Sequence, residues 1–216
     1  MTGDNDIIVK TRTYVHQEFD NDTSGHDWWH FHRVHNIALK IAQAEKADET
    51  VVSLAALLHD IADYKRHNGD DKAGVKTVRD WLEEQGLDKK RTDHVCEIIQ
   101  KVSFKGEGTP TPMETIEGKV VQDADRLDAI GAIGIARAFT FGGHYGREIY
   151  NPEAKAVLHK DFESYKDGTS STLHHFDEKL LLLKDRLNTP TAQQMAKERH
   201  SFMLTFLDQF HKEWEA

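Results

Sequence analysis

A chain of 216 residues is long enough for one substantial hydrophobic core, and 38% hydrophobic with 30% charged residues is the balance of a globular protein, not a disordered one. A net charge of -9, with no basic run longer than Lys89-Lys90-Arg91, argues against a surface that grips long nucleic acid; a small anion met by a few local cations or a metal stays compatible. The single cysteine, Cys96, excludes an intrachain disulfide and a cysteine-ligated zinc cluster; set among Val95, Ile98 and Ile99 it is expected to be a buried structural thiol, and a reducing, cytoplasmic setting fits best.

No charged-then-apolar leader opens the sequence, so no signal peptide is expected; polar residues give way to an amphipathic stretch. Val34, Ile37, Ala38, Ile41 and Ala42 follow the i, i+3, i+4, i+7, i+8 rule of a helix. Asp48 is placed to cap the next one, whose core face includes Val51, Val52, Ala55 and Leu58. That nearly apolar run, 51–58, is far too short to span a bilayer, and no membrane partner is expected. Val75, Val78, Trp81 and Leu82 mark another helix, with Gly86 as its stop, and Asp88 caps one carrying Val95, Ile98, Ile99 and Val102. Residues 103–113, with two glycines, Pro110 and Pro112, read as a loop. A helix should run from about Glu114 into Val120-Val121, and another should carry Leu127, Ile130, Ile133 and Ile135. Residues 141–152 read as a second loop, over a site, followed by two long helices, about 172–187 and 191–214, separated at Pro190. No strand alternation and no internal repeat is visible. The expectation is an all-α fold: a single-domain bundle of about ten helices over residues 1–216.

Three segments carry chemistry. Fourteen histidines are present, and His174, His175, His200 and His211, at polar positions near the end of the chain, are expected to be solvated. Residues 25–35, GHDWWHFHRVH, place four histidines at the start of a helix; a metal site and a His-rich amphipathic helix explain them equally. Residues 54–63, LAALLHDIAD, run apolar up to adjacent His59 and Asp60, where an ionised Asp is costly unless paired or coordinated; a capped helix end explains Asp60 alone but not the pair. In residues 120–139, VVQDADRLDAIGAIGIARAF, the acids Asp123, Asp125 and Asp128 interrupt an apolar run, and a salt bridge to Arg126 would account for only one of them.

Together these segments resemble the HD-domain superfamily of metal-dependent phosphohydrolases. His30 in HFHRV resembles the H-x-x-R-V opening, His59-Asp60 the defining HD pair, and Asp125 in ADRL the distal metal-binding Asp. The likeness is closest to a group of small bacterial HD proteins containing GHDWWH, HDIADYK, SFKG, QDADRLDAIGAIGIAR and HFDEKLLLLKDRLNT, and covers about residues 25–214. The resemblance implies a metal-site core over about 25–140, with C-terminal helices over about 172–214. It implies one divalent ion on His30, His59, Asp60 and Asp125. Two imidazoles and two carboxylates suit Mn, Fe, Co, Ni or Zn, with Mg also compatible.

Asp63 fills a place where family members often carry an acid. It is expected to orient or deprotonate the attacking water, the plainer reading being a cap on the turn at Tyr64-Lys65. Lys65 and Lys105 are candidates for binding phosphate, or are surface lysines. Asp128 is a candidate outer acceptor that orients a ligating histidine. Val102 stands where relatives with two metals carry a histidine, so one metal is favoured and His94 is expected to line the substrate pocket. The activity implied is hydrolysis of a phosphate ester or anhydride, with a nucleotide as the leading substrate class. A non-catalytic nucleotide-binding regulator and, further off, a diiron oxygenase are the rivals. Trp28, Trp29, Phe104 and Tyr145 are candidates for stacking on a base, but structural packing is the favoured role for each. The oligomeric state is open, since C-terminal helices that pair between subunits and ones that pack within a chain have the same apolar stripes.

Overall fold

The computed structural model describes residues 2–61, 71–102, 110–157 and 170–216, and among these there are nine α-helices, one 3-10 helix and no strand. The helices are α1 (Thr2–Phe19), α2 (Trp28–Glu45), α3 (Glu49–Leu58), α4 (Asp71–Glu84), α5 (Lys89–Lys101), α6 (Ile116–Asp128), α7 (Gly131–His144), α8 (His174–Glu178) and α9 (Pro190–Trp214), with the 3-10 helix over Leu180–Arg186. The all-α expectation holds. Among the described residues no helix is long and apolar enough to cross a membrane. The chain divides into two compact units, one of Met1–Asp22, His26–Phe104 and Thr111–Ala124, the other of Thr23–Gly25, Lys105–Pro110 and Asp125–Ala216.

The first unit is organised around α3. Every residue from Val51 to Leu58 is buried, because α1, α2 and α5 all pack on this helix. A helix apolar on all sides must be surrounded, so the one-sided face expected from its spacing understates its burial. Asp48 caps it as anticipated, accepting from Thr50 N and Val51 N at 2.9 and 3.2 Å. Asp88 caps α5, accepting from Arg91 N at 3.1 Å, and Cys96 lies buried on that helix. Burial pushes the Cys96 thiol up, in keeping with a structural role. The amphipathic stretch at the start is a full helix, tied to α4 where Trp81 Nε1 donates to Thr11 Oγ1 at 3.0 Å and Tyr14 stacks on Trp81 at 4.3 Å.

The break expected between residues 121 and 127 falls later. All three acids, Asp123, Asp125 and Asp128, lie on the single helix α6, and the chain turns at Ala129-Ile130 into α7. Gly131 makes this turn: its φ of +78° is left-handed, and the Arg199 side chain lies 3.0 Å from where its Cβ would be. Helix α7 also runs on through Phe141 to His144, into the expected loop, with Thr172 Oγ1 filling the Cβ position of Gly142.

In the second unit α9 packs on α7, with Phe139 and Phe176 both against Phe206 at ring separations of 6.0 and 5.9 Å. Thr189 caps α9, accepting from Ala192 N at 3.3 Å, with Pro190 as its first residue. The long helix expected over 172–187 is instead α8 followed by the 3-10 helix, broken at Lys179, where φ is -144°. Beside the break, the buried Glu178 carboxylate accepts from Val157 N at 3.0 Å and Ser170 Oγ at 2.6 Å. His174 is buried as well, not solvated, with Nδ1 at 3.0 Å from Ser171 Oγ. His200 is also partly buried, which lowers its pKa, while His211 is exposed.

Gly134 lets α7 close on the turn before it. A Cβ there would lie 2.2 Å from the carbonyl oxygen of Ala129, a backbone atom that cannot rotate away. Gly134→Ala is therefore expected to cost about 2 kcal/mol, despite alanine's better helix propensity. Urea denaturation would show this as a lower midpoint at unchanged slope.

Candidate metal centre

Two helix ends supply the centre. Asp27 caps α2, its side chain accepting from His30 N at 3.2 Å, which sets His30 in the first turn with its ring inward. The buried helix α3 ends at Leu58, and His59 and Asp60 follow directly at the edge of the core. His30 and His59 are almost wholly enclosed, whereas the Asp60 side chain keeps 17% exposure.

Three donor atoms converge. His30 Nε2 lies 3.2 Å from His59 Nε2 and 3.4 Å from Asp60 Oδ2, and His59 Nε2 lies 3.4 Å from Asp60 Oδ1. His59 Nδ1 is 2.9 Å from the Ala56 carbonyl oxygen, which can only accept, so Nδ1 carries a proton and Nε2 is the atom left to bind an ion when the ring is neutral. The ring is further held by Phe31 at 5.4 Å, and His26 stands 5.5 Å from His30. Burial alone would raise the Asp60 carboxyl, but the charge of His59 and the hydrogen bond from His30, aided by His26, outweigh it and hold it well below the ordinary range. An ionised carboxylate with two converging imidazole nitrogens fits a divalent ion of intermediate softness.

Of the four expected ligands, His30, His59 and Asp60 are brought together. Asp125 is half-buried in the last turn of α6, within the second unit. Asp128 is 1% exposed, and its Oδ2 accepts from Arg137 Nη1 at 3.0 Å. The acceptor that fixes His59 is the Ala56 carbonyl, not a carboxylate; no side-chain pattern signals a backbone acceptor of this kind. Asp63, Lys65, Lys105 and Phe104 lie outside the described residues.

His94, expected to line a substrate pocket, has its partners on α6 and the segment before it. Its Nε2 lies 2.9 Å from Thr115 Oγ1 and 3.9 Å from Glu117 Oε2, and Glu117 accepts from the backbone N of Asp48. His94 therefore sits by the start of α3, while His59-Asp60 follow its end. His94 is not among the three side chains that converge at His30, His59 and Asp60.

The aromatic residues divide. Trp28 is half-buried under Arg12, whose guanidinium carbon is 5.7 Å from its ring centre. Trp29 and Tyr145 are 59% and 57% exposed, so neither is a core residue, and each packs at the surface, Trp29 on His32 at 5.6 Å and Tyr145 on Phe141 at 4.5 Å.

An HD-domain family model matches residues 28–130, a span that includes His30, His59, Asp60 and Asp125. The Bacillus subtilis protein YpgQ is 44% identical over 204 residues, which cover 94% of this chain and 91% of YpgQ. Among solved structures, an HD-superfamily hydrolase from Bacillus thuringiensis superposes with a TM-score of 0.75 at 44% identity, covering 99% of each chain. The structure of B. subtilis YpgQ in complex with ADP superposes with a TM-score of 0.74 at 41% identity, covering 95% of this chain and 97% of that one.

Proposed function

The chain belongs to the HD-domain superfamily, and on that premise we propose that it is a metal-dependent phosphohydrolase that acts on a nucleotide. The observation that carries this reading is the convergence of the His30 and His59 Nε2 atoms on the Asp60 carboxylate. Asp125, one helical turn before the buried Asp128, is the proposed fourth ligand. A divalent ion bound there would supply a water of lowered pKa and would polarise a phosphoryl oxygen.

The chain's own residues do the rest. The Ala56 carbonyl keeps the His59 ring in one tautomer and orientation, so Nε2 is available without rearrangement. Asp60 brings a negative charge to a nearly dry site and leaves it open to solvent on one side. Asp63 is the proposed base that orients or deprotonates the attacking water, and Lys65 and Lys105 are proposed to meet the charge on the phosphate. The ADP complex of YpgQ supports a nucleotide as the substrate class.

The test is metal-free protein incubated with Mn²⁺ and a panel of nucleoside mono-, di- and triphosphates, with products separated by chromatography. Turnover of at least one nucleotide, abolished by a chelator and restored by Mn²⁺, is the expected result, and the products identify the bond broken. Absence of turnover with Mn²⁺, Fe²⁺, Co²⁺, Ni²⁺, Zn²⁺ and Mg²⁺, with one ion bound and nucleotide retained, would overturn it in favour of a non-catalytic nucleotide binder.

A further inference from the structure

We propose that Arg137 is a positioning residue for the metal centre: its guanidinium fastens the segment that leads into α2 to the last turn of α6. The proposal rests on the metal-centre reading above. Arg137 Nε donates to the Gly25 carbonyl at 2.9 Å, and Nη1 donates to Asp128 Oδ2 at 3.0 Å. The Arg137 side chain is 15% exposed and the Asp128 carboxylate is buried, so this is an ion pair with little solvent to screen it.

The segment it holds is built to lie close. Gly25 has φ +89°, and the place of its missing Cβ is 3.6 Å from Arg137 O and 3.8 Å from Thr140 Cβ. A side chain at Gly25 would be strained in backbone, and its Cβ would lie in van der Waals contact with α7. A second tether joins the same stretch to α7, Thr23 Oγ1 lying 3.0 Å from His144 Nδ1. On the α6 side, Arg199 donates to the Leu127 carbonyl, so the end of that helix is held from α9 as well.

Each end of the Arg137 bridge lies a few residues along the chain from a proposed ligand, Gly25 five before His30 and Asp128 three after Asp125. Gly25 is two residues before Asp27, which caps α2 and sets His30 N. Asp128 is three residues after Asp125 on the same face of α6. A planar guanidinium can serve both partners at once, whereas an ammonium can neutralise Asp128 but cannot donate in the same fixed fork to Gly25. Arg137→Lys therefore separates a positioning role from mere charge pairing.

The experiment measures Mn²⁺ binding by titration calorimetry on wild type, Arg137→Lys and a control, Arg79→Met, which breaks an ion pair with Asp93 in the other unit. Amide exchange of residues 23–30 is followed in the metal-free proteins. We expect Arg137→Lys to stay folded, to bind Mn²⁺ about 10- to 100-fold more weakly, the range seen when supports of metal ligands are removed, and to exchange faster at 23–30. Arg79→Met should match wild type in both readouts. Wild type that fails to bind Mn²⁺ would sink the metal-centre reading and this proposal with it. Wild type that binds, with an Arg137→Lys affinity unchanged or lowered without faster exchange at 23–30, would sink this proposal alone.

Discussion

Alanine at His59 or Asp60 is expected to abolish tight binding of a divalent ion and to slow metal-dependent hydrolysis about a thousand-fold, or roughly 4 kcal/mol of transition-state stabilisation. Each supplies one of three donor atoms held within 4.8 Å of one another, so removing one leaves only two of that cluster. The losses should not add: His59→Ala with Asp60→Ala should be little worse than either alone, because residues acting as one unit share a single effect. Asp60→Asn separates charge from shape. It keeps the volume and a hydrogen bond to His30, and should still lose the ion, since an amide does not replace the ionised carboxylate. Metal content of the purified proteins and initial rates at saturating Mn²⁺ check all four variants. A fully metallated, fully active Asp60→Ala would remove Asp60 from the centre.

His35→Leu is expected to abolish much of the protein's sensitivity to mild acid. His35 is 4% exposed in the middle of α2, and neither ring nitrogen has a hydrogen-bond partner among the described residues. Burial first, then the nearby charges of Arg12 and His32, lower its pKa to about 4. In the unfolded chain the same ring titrates near 6.5. The unfolded state therefore takes up a proton that the folded state refuses, and stability falls as pH drops from about 6.5 to about 4. The slope is about 1.4 kcal/mol per pH unit and the total about 3 kcal/mol. Above pH 6.5 both states hold a neutral ring and the effect is absent. Leucine removes the titration and also two buried nitrogens without partners, so the variant should at least equal wild type at pH 7 and exceed it increasingly below pH 6. Urea denaturation of metal-free protein at pH 7, 6, 5 and 4.5 measures this. Parallel curves for wild type and variant would show that His35 does not titrate in that window.

The sequence made legible those features whose causes are local. Asp48 and Asp88 cap because a short acceptor before an apolar run meets free backbone N–H groups wherever it occurs. His59-Asp60 could be identified because a carboxylate at the end of a nearly apolar, buried run needs a compensating partner. What escaped depends on distant contacts. The turn at residues 129–130 needs Arg199, nearly seventy residues on, packed over Gly131. The break at Lys179 lies beside Glu178, which serves the backbone of Val157. The burial of His174 and the placement of His94 beside Thr115 and Glu117 are set by packing that helical periodicity does not encode.

Cys96 has a practical consequence. It is the chain's one thiol, it lies 3% exposed on α5, and burial weakens its acidity. Alkylating reagents attack thiolates, so the native protein should be nearly inert to maleimides at neutral pH. A cysteine introduced on the outer face of α9, at Gln209 for instance, would then be the single fast-reacting position. A fluorophore or spin label could be attached there without first mutating the native thiol, giving distances within the folded molecule by spectroscopy.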